Sequence, residues 1–367
     1  MKTPVTLSVY DDPAPAYFLK ERFEKDGIDC QLSFGYDQER RVTRTGIQVD
    51  ARMVERAVKI MLGIKEAYGK AIEEIGPEEA RFRIIVPTDF SKASENACLY
   101  AVGLASRIGA EIKILHICQN PEADLNVKET ATFVSYIAER KEEVEREAGA
   151  KLGAFTGKMN DFMEERGMKN VTLHSAIAMG DVVRRIKSVS KIYRPHLVVL
   201  GTVGRESDER SLLGGMVNAL IRDLEVPMYV IPGPFAFRDT GKTNILYATD
   251  FNEQDNKSLD GLLKIVSSMD TRITCIHVDT DQNPSRKERM DELNEFLAEH
   301  YADHEILCQL IGDDDVYRGI RNAVDRFDIH LLSFTTRKRG IFDKLFRPNL
   351  FGKILQEAGI PILIFPS

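Results

Sequence analysis

The sequence has few cysteines, no long apolar run and no excess of positive charge. Its five cysteines are odd in number and form no CxxC pair, which argues against a disulfide framework or zinc site and predicts reduced, mostly buried thiols. No apolar run reaches the roughly 18 residues of a membrane span, and Asp11 and Asp12 interrupt any signal-peptide pattern. We therefore expect a cytoplasmic protein without a membrane partner. The net charge of −7 argues against a nucleic-acid partner.

Several catalytic motifs are also missing from the chain. There is no GxxxxGK[ST] phosphate loop, no GxSxG nucleophile elbow, no HExxH zinc motif and no HIGH motif of nucleotidyl transferases. His300 and His304 are four residues apart, but no third ligand accompanies them, so we interpret them as solvated side chains. No metal ligand is identified by this reasoning.

An internal repeat organises most of the 367 residues. Thr88-Asp89-Phe90 recurs as Thr249-Asp250-Phe251, at an offset of 161 (250 − 89). Further along, the segment 226–232 recurs as 360–366, at an offset of 134 (360 − 226). The difference of 27 (161 − 134) predicts extra residues in the first copy, around 121–149. Their mixed charges at helical spacing favour an exposed helix extension, with a partner-binding arm as the alternative.

Short apolar strands alternate with longer helical patterns in both copies. This alternation predicts an α/β protein with two doubly wound, mainly parallel five-stranded sheets. We expect one domain at 81–232 and a second at 242–367, separated by a linker rich in turn-forming residues.

Residues 1–80 lie outside the repeat. Their pattern of strand-like and helix-like segments predicts a small α+β module in the order β-α-β-β-α. The segment from Gly46 to Leu62 weakly resembles PII-like signal-transducing modules of ferredoxin-like fold. The alternative is an accessory cap without a ligand.

Two strand ends carry the candidate chemistry. The apolar run from Arg83 ends in Pro87-Thr88-Asp89, and another from His196 ends in Gly201-Thr-Val-Gly204, followed after nine residues by Gly214-Gly215. Glycines let backbone N–H groups approach a phosphate, and a helix beginning at Met216 would favour an anion. Together with the closing strand at 226–231, these motifs resemble the universal stress protein family in its ATP-binding branch. Because the last strands of that family pair antiparallel across a two-fold axis, the resemblance implies a contact between the two copies at 226–231 and 360–365.

The resemblance implies a site for ATP or a related adenine nucleotide, with Mg²⁺ bridging phosphate oxygens. In that family the first-strand aspartate and its flanking backbone hold the adenosine end, while the glycine loop wraps the triphosphate. On this chain the adenosine is expected at Pro87, Thr88, Asp89 and Ile117. The ribose and phosphates are expected at the glycine loop and the helix after it: Leu200, Gly201, Gly204, Arg205, Gly214, Gly215, Met216 and Val217.

The chain departs from the family at Gly215, where a serine or threonine usually donates to a phosphate. Losing that bond predicts weakened rather than abolished binding, and Arg205 is the candidate replacement donor. The alternative is a structural glycine loop without a physiological ligand. At the offset of 134 the second copy replaces the loop glycines by Thr335, Lys338, Pro348 and Asn349, so we expect no such site there.

Three functions remain open at this stage. The first is a non-catalytic stress-response and signalling protein, whose nucleotide occupancy acts on an unidentified protein partner. The second is a slow ATPase, and the third is a nucleotide-free scaffold that forms a homodimer. The missing acid/base machinery favours the first, so we predict that the protein is not an enzyme.

Overall fold

The computed structural model describes residues 3–10, 14–37, 42–68, 82–120, 131–202, 212–233, 242–302, 304–336 and 354–366. The described part of the chain contains the mixed α/β architecture expected from the sequence, with a large, mainly parallel sheet and a small antiparallel one.

The small sheet is built from the N-terminal residues. Its elements are β1 Pro4–Tyr10, α1 Ala14–Lys25, β2 Cys30–Asp37, β3 Val42–Asp50 and α2 Val54–Tyr68. The β-α-β-β-α order expected from the sequence is confirmed, and β3 lies between β1 and β2, antiparallel to both. This is the strand arrangement of a split βαβ unit. Likeness to a PII-like module stays a prediction.

The large sheet contains both copies of the repeat. The first copy comprises β4 Arg83–Thr88, α3 Lys92–Ile108, β5 Glu111–Cys118, α4 Ala131–Glu165, β6 Thr172–Met179, α5 Val182–Tyr193, β7 Leu197–Thr202, α6 Leu212–Asp223 and β8 Met228–Pro232. The second comprises β9 Thr243–Ala248, α7 Glu253–Val266, β10 Thr271–Asp279, α8 Ser285–His300, β11 Glu305–Gly312, α9 Val316–Arg326, β12 Leu331–Thr335 and β13 Ile362–Phe365.

The two expected five-stranded sheets are joined into one sheet of ten strands, in the order β11-β10-β9-β12-β13-β8-β7-β4-β5-β6. Neighbouring strands within each copy are parallel, whereas β8 and β13 pair antiparallel, with Tyr229 opposite Leu363. The segments 226–231 and 360–365 were the sequence candidates for this contact between copies, and the pairing confirms them. The order reads the same outward from the seam, as an internal two-fold axis requires.

Strand pairing tests the repeat offsets directly. Ile84 pairs with Leu197 in the first copy, and Ile245 pairs with Leu331 in the second, which confirms 161 for the first strand and 134 for the fourth. The third strands differ: Glu111 pairs with Thr172 and Arg272 with Glu305, so the first copy carries 28 extra residues (61 − 33), not 27. Between the third and fourth strands the second copy is one residue longer, which brings the difference between the copies back to 27 at the fourth strand. The extra length includes the N-terminal part of the 35-residue helix α4, compared with 16 residues in α8.

Both faces of the large sheet are buried. One apolar cluster includes α3, α4, α7 and α8, and the other includes α5, α6 and α9. The second cluster also contains the core of the N-terminal module, because α2 packs against α5. A Cβ on Gly63 of α2 would lie only 3.2 Å from the Ile192 side chain of α5. The module and the first copy therefore share one core.

Candidate functional site

The candidate site lies where β4 and β7 end side by side. From β4 the chain continues to β5 on one side, whereas β7 leads to β8 on the other. This reversal is the topological switch point at which open α/β sheets bind ligands, outside the carboxyl ends of the strands. The sequence candidates Pro87, Thr88 and Gly201 lie at this edge.

The strand ladder between β4 and β7 is short in the first copy. The β4–β7 pairing stops at Ile85 and Val198. The Arg83 carbonyl accepts from the His196 N–H of the segment before β7, so alternate residues of β4, including Pro87, direct their backbone groups toward β7. Pro87 has no N–H to continue the ladder. The hydrogen-bonded ladder between β4 and β7 therefore ends where proline lacks a donor.

The second copy keeps this ladder closed. Its equivalent of Pro87 is Ala248 (87 + 161), which has a backbone N–H. Pairing between β9 and β12 continues through Ser333–Tyr247 to Phe334–Ala248. One residue type at one strand position thus distinguishes an open strand end from a closed one.

Hydroxyl groups organise the start of helix α3 in the first copy. Ser91 is the N-cap, and its hydroxyl accepts from the Ser94 N–H at 3.2 Å. The buried Thr88 hydroxyl lies 3.0 Å from the Ser94 hydroxyl and accepts from the Phe90 N–H at 3.0 Å. Thr88 therefore spends its side chain on the turn, and only its backbone can meet a ligand.

Asp89 is the exposed acid of this turn. Its carboxylate accepts from the Ser91 N–H at 2.9 Å. Partial burial alone would raise the pKa of Asp89, but hydrogen bonds from Ser91 and Ser94 outweigh burial and lower it. Asp89 is thus an ionised acceptor facing the open end of β4.

Gly201 lacks a side chain for a reason within the protein. A Cβ there would lie 2.2 Å from the Ala93 carbonyl oxygen in the first turn of α3, closer than any real contact. The sequence interpretation gave this glycine a role in approaching a phosphate; the structure gives it a packing role between β7 and α3. The second copy has Thr335 here, whose hydroxyl lies 3.1 Å from the Tyr247 hydroxyl.

A carboxylate replaces the serine hydroxyl in the second copy. Asp255 is the counterpart of Ser94 (94 + 161), and its Oδ2 accepts from the Thr249 hydroxyl at 2.8 Å and the Asp250 N–H at 2.9 Å. Asn252 and Asp255 also form a capping box on α7. The second copy thus has a hydrogen-bonded Asp255 side chain and a buried Tyr247 at this strand end, where the first copy has Ser94 and Val86.

The other sequence candidates divide into three groups. Ile117 and Met216 are partly buried, while Leu200 and Val217 are 2% exposed, so these four offer packing surface at most. Gly214 and Gly215 lie in the first turn of α6, which begins at Leu212, so the expected helix start at Met216 was wrong by four residues. The first four N–H groups of such a helix have no partner within it. Gly204, Arg205, Lys338, Pro348 and Asn349 lie outside the described residues.

Both copies use histidine in the same structural way. His116 Nδ1 lies 2.8 Å from the Thr88 carbonyl oxygen, and His277 Nδ1 lies 2.8 Å from that of Thr249. The His116 ring also contacts the ring of Phe90, with centroids 4.3 Å apart, and the His277 ring contacts that of Phe251, with centroids 4.5 Å apart. Burial lowers the pKa of His277, against the opposing effect of its hydrogen bond. The same contact in both copies indicates a packing role for these rings.

Sequence reasoning missed Ser91, Ser94, Tyr247 and Asp255. The spacing Ser91-x-x-Ser94 and its counterpart Asn252-x-x-Asp255 are capping signals that were available in the sequence.

Among the described residues no cluster of three or more histidine, cysteine or acidic side chains could hold a metal ion. Nor is any helix in that part of the chain long and apolar enough to span a membrane.

The fold defines a tandem, doubly wound α/β protein whose two switch points differ in ladder length and in hydrogen bonding. Residues 81–232 match the model of the Universal stress protein family. The chain is also 26% identical over 180 residues to Universal stress protein MJ0531 of Methanocaldococcus jannaschii, covering 49% of this chain and 98% of that protein. The likeness to the universal stress protein family is therefore a finding about residues 81–232.

A solved structure extends the likeness of the fold beyond one copy. A universal stress protein from Archaeoglobus fulgidus superposes with a TM-score of 0.54 at 16% identity, covering 78% of this chain and 96% of that one. At this identity the superposition concerns the fold alone.

Proposed function

We propose that the first copy binds ATP or a related adenine nucleotide at the open end of β4 and β7, and that the protein acts as a non-catalytic stress and signalling module. The observation that carries this proposal is the asymmetry of the two switch points. In the first copy the pairing stops at Ile85, before Pro87, whereas in the second it continues to Ala248 and the Asp255 carboxyl accepts hydrogen bonds at the corresponding turn.

The exposed strand end supplies groups that suit a nucleoside. The ionised Asp89 carboxylate can accept from a ribose hydroxyl or an adenine amino group. Pro87 and Ile117 offer apolar contact beside it. The chemistry of this end therefore fits the uncharged half of the ligand.

The phosphates belong to the other side of the crevice. The segment from Gly201 to Leu212 joins β7 to the N-terminus of α6, whose leading backbone N–H groups favour an anion. Arg205 is the candidate side-chain donor in this segment. Mg²⁺ would accompany the triphosphate through the phosphate oxygens.

The contacts of His116 and the pKa of Asp89 favour a non-catalytic role. His116 is hydrogen-bonded to a backbone carbonyl and lies against the tilted ring of Phe90, so it is a poor candidate for a general base. Asp89, with its lowered pKa, is a weak base. Occupancy of the crevice, rather than turnover, would then be the signal read by a protein partner.

Calorimetric titration of nucleotide-stripped protein with Mg-ATP tests the proposal. We expect saturable heat in the parent chain and none in Gly204→Glu, which places a bulky carboxylate in the phosphate segment. Absence of heat and of any thermal shift would overturn nucleotide binding and favour the scaffold function. Phosphate release that is proportional to protein and abolished in Asp89→Ala would instead support a slow ATPase.

A further inference from the structure

Two cysteines of the second copy lie side by side on neighbouring strands. Cys275 in β10 pairs in register with Cys308 in β11, and because the strands are parallel both side chains lie on the same face of the sheet. Their thiols are hydrogen-bonded to each other. Cys275 is buried and Cys308 is partly exposed, so a small solute can reach the pair from the Cys308 side.

The spacing of the strands suits a covalent bond between these thiols. Neighbouring strands lie about 4.7–4.9 Å apart, within the range of about 4.4–6.8 Å between the Cα atoms of a disulfide. β11 is the last strand in the order of the large sheet. Since it has one hydrogen-bonded neighbour, it can move toward β10 without disturbing a second ladder.

The first copy has no such pair. The row that crosses β9, β10 and β11 consists of Tyr247, Cys275 and Cys308. The matching row across β4, β5 and β6 consists of Val86, Ile114 and Ser175. The thiol pair therefore belongs to the copy whose switch point is filled, directly beside Tyr247.

The five thiols differ in their readiness to react. The hydrogen bond from Cys275 lowers the pKa of Cys308 more than burial raises it. That same bond, together with burial, raises the pKa of Cys275. Burial also raises the pKa values of Cys30, Cys98 and Cys118. Cys308 is thus the thiol best suited to form the reactive thiolate.

We propose that Cys308 and Cys275 form a peroxide-sensitive dithiol, which is oxidised to a disulfide that fastens the edge strand β11 to β10. The Cys308 thiolate attacks one peroxide oxygen, the O–O bond breaks, and the departing hydroxide takes a proton to become water. Cys275 then loses its proton and attacks the sulfur of the Cys308 sulfenic acid, expelling a second water. Two thiols and one hydrogen peroxide give one disulfide and two waters, and an added thiol reverses the reaction.

Peroxide treatment of the full chain, followed by alkylation and tryptic mass spectrometry, tests this proposal. Arg286 and Arg289 separate the two cysteines on digestion, so a linked peptide pair identifies the bond. We expect titratable thiols to fall from five to three per chain, with the linked pair restored to free peptides by dithiothreitol.

Three serine variants make the assignment specific. Cys275→Ser should leave a sulfenic acid on Cys308 that dimedone traps, and Cys308→Ser should abolish oxidation of Cys275. Cys98→Ser, which removes another buried thiol, should form the linked pair like the parent chain. A linkage to any other cysteine, or unchanged thiol counts at peroxide concentrations that oxidise free cysteine, would overturn the proposal.

Discussion

At the scale of single residues, the two strand ends differ by a few substitutions with large chemical consequences. Ser94 in the first copy donates its hydroxyl proton to the Ser91 carbonyl at 3.0 Å, whereas Asp255 gathers N–H and O–H donors around a charge. A carboxylate at this place occupies donors of the turn, so they are no longer available to a ligand. The repeat has thus kept its backbone while one copy gained an internal anion.

Asp89→Ala and Asp250→Ala form a matched pair for testing this asymmetry. We expect Asp89→Ala to weaken Mg-ATP binding about 10- to 100-fold, because a charged acceptor for the nucleoside is lost. Asp250→Ala, at the equivalent strand end of the second copy, should leave the affinity unchanged. Isothermal calorimetry measures both, with circular dichroism to verify folding. Equal losses in both variants would contradict the assignment of binding to the first copy.

Ser94→Asp transfers the second copy's carboxylate into the first. The new charge would lie beside the N–H groups at the start of α3, as Asp255 does at the start of α7. We expect nucleotide binding to weaken by at least about tenfold, while the improved capping preserves the melting temperature. Unchanged affinity in a folded variant would show that this turn does not face the ligand.

Gly201→Ala tests the packing role of the loop's first glycine. The added methyl group would meet the Ala93 carbonyl oxygen, so we expect a loss of about 1–3 kcal/mol in the free energy of unfolding. Gly153→Ala in α4 is the control, since nothing lies within 4 Å of its added Cβ, and it should stabilise by about 0.5–1 kcal/mol. Urea denaturation measures the change in the free energy of unfolding of each variant. Equal changes in the two variants would contradict the close approach of β7 and α3.

At the scale of elements, the ladder between the first and fourth strands of each copy governs the crevice. It contains two pairs in the first copy and four in the second. The difference coincides with Pro87, whose missing N–H would face β7, and Ala248, whose N–H is present. A proline inside a central strand is unusual, and here its position follows directly on the last residue pairs between β4 and β7.

Pro87→Ala should therefore extend the β4–β7 ladder and narrow the crevice. We expect weaker nucleotide binding with equal or slightly higher stability, because one backbone donor gains a partner. The reciprocal variant Ala248→Pro removes a ladder bond and should cost about 1–3 kcal/mol. Chemical denaturation and calorimetry of the two variants give the comparison. Tighter nucleotide binding by Pro87→Ala would contradict this account of the opening.

Much of the element order was readable from the sequence, and for identifiable reasons. The alternation of apolar strands and helical patterns predicted every strand of the repeat. The offset of 161 between Asp89 and Asp250 predicted the same strand register in both copies, and the strand pairing confirms it. The seam between β8 and β13 followed from the resemblance to a family whose last strands pair. Local chain patterns determine these features.

Other features depend on contacts that a linear pattern does not encode. The start of α6 at Leu212 rather than Met216 was missed because glycines weaken a helix signal. The role of Gly201 depends on Ala93, over 100 residues away in sequence. The prediction of no second site rested on the lost loop glycines, whereas the difference between the copies that the described residues show lies at Asp255 and Tyr247.

At the scale of the whole molecule, one apolar core unites the N-terminal module with the first copy. Ile64 of α2 is fully buried in the cluster that also contains Ile186 and Val189 of α5. Leu62, two residues earlier on the same helix, is 60% exposed. The module is therefore packed onto the sheet layer by a defined face of α2.

Ile64→Ala and Leu62→Ala should separate these faces. The buried truncation should cost about 2–5 kcal/mol, and the exposed one no more than about 0.5 kcal/mol. If the core is shared, the loss appears in the transition that unfolds the first copy, since both sets of side chains are exposed together. Differential scanning calorimetry would contradict the shared core if the module melted alone and left the main transition unmoved.

The asymmetry of the two copies is tested most directly by counting the nucleotides bound to each chain. Native mass spectrometry of stripped protein at saturating Mg-ATP gives that number, with calorimetric stoichiometry as an independent measure. The account predicts one adenine nucleotide per chain in the parent protein and none in Gly204→Glu. Two nucleotides per chain would contradict the closed second copy, and none in the parent would contradict the site itself.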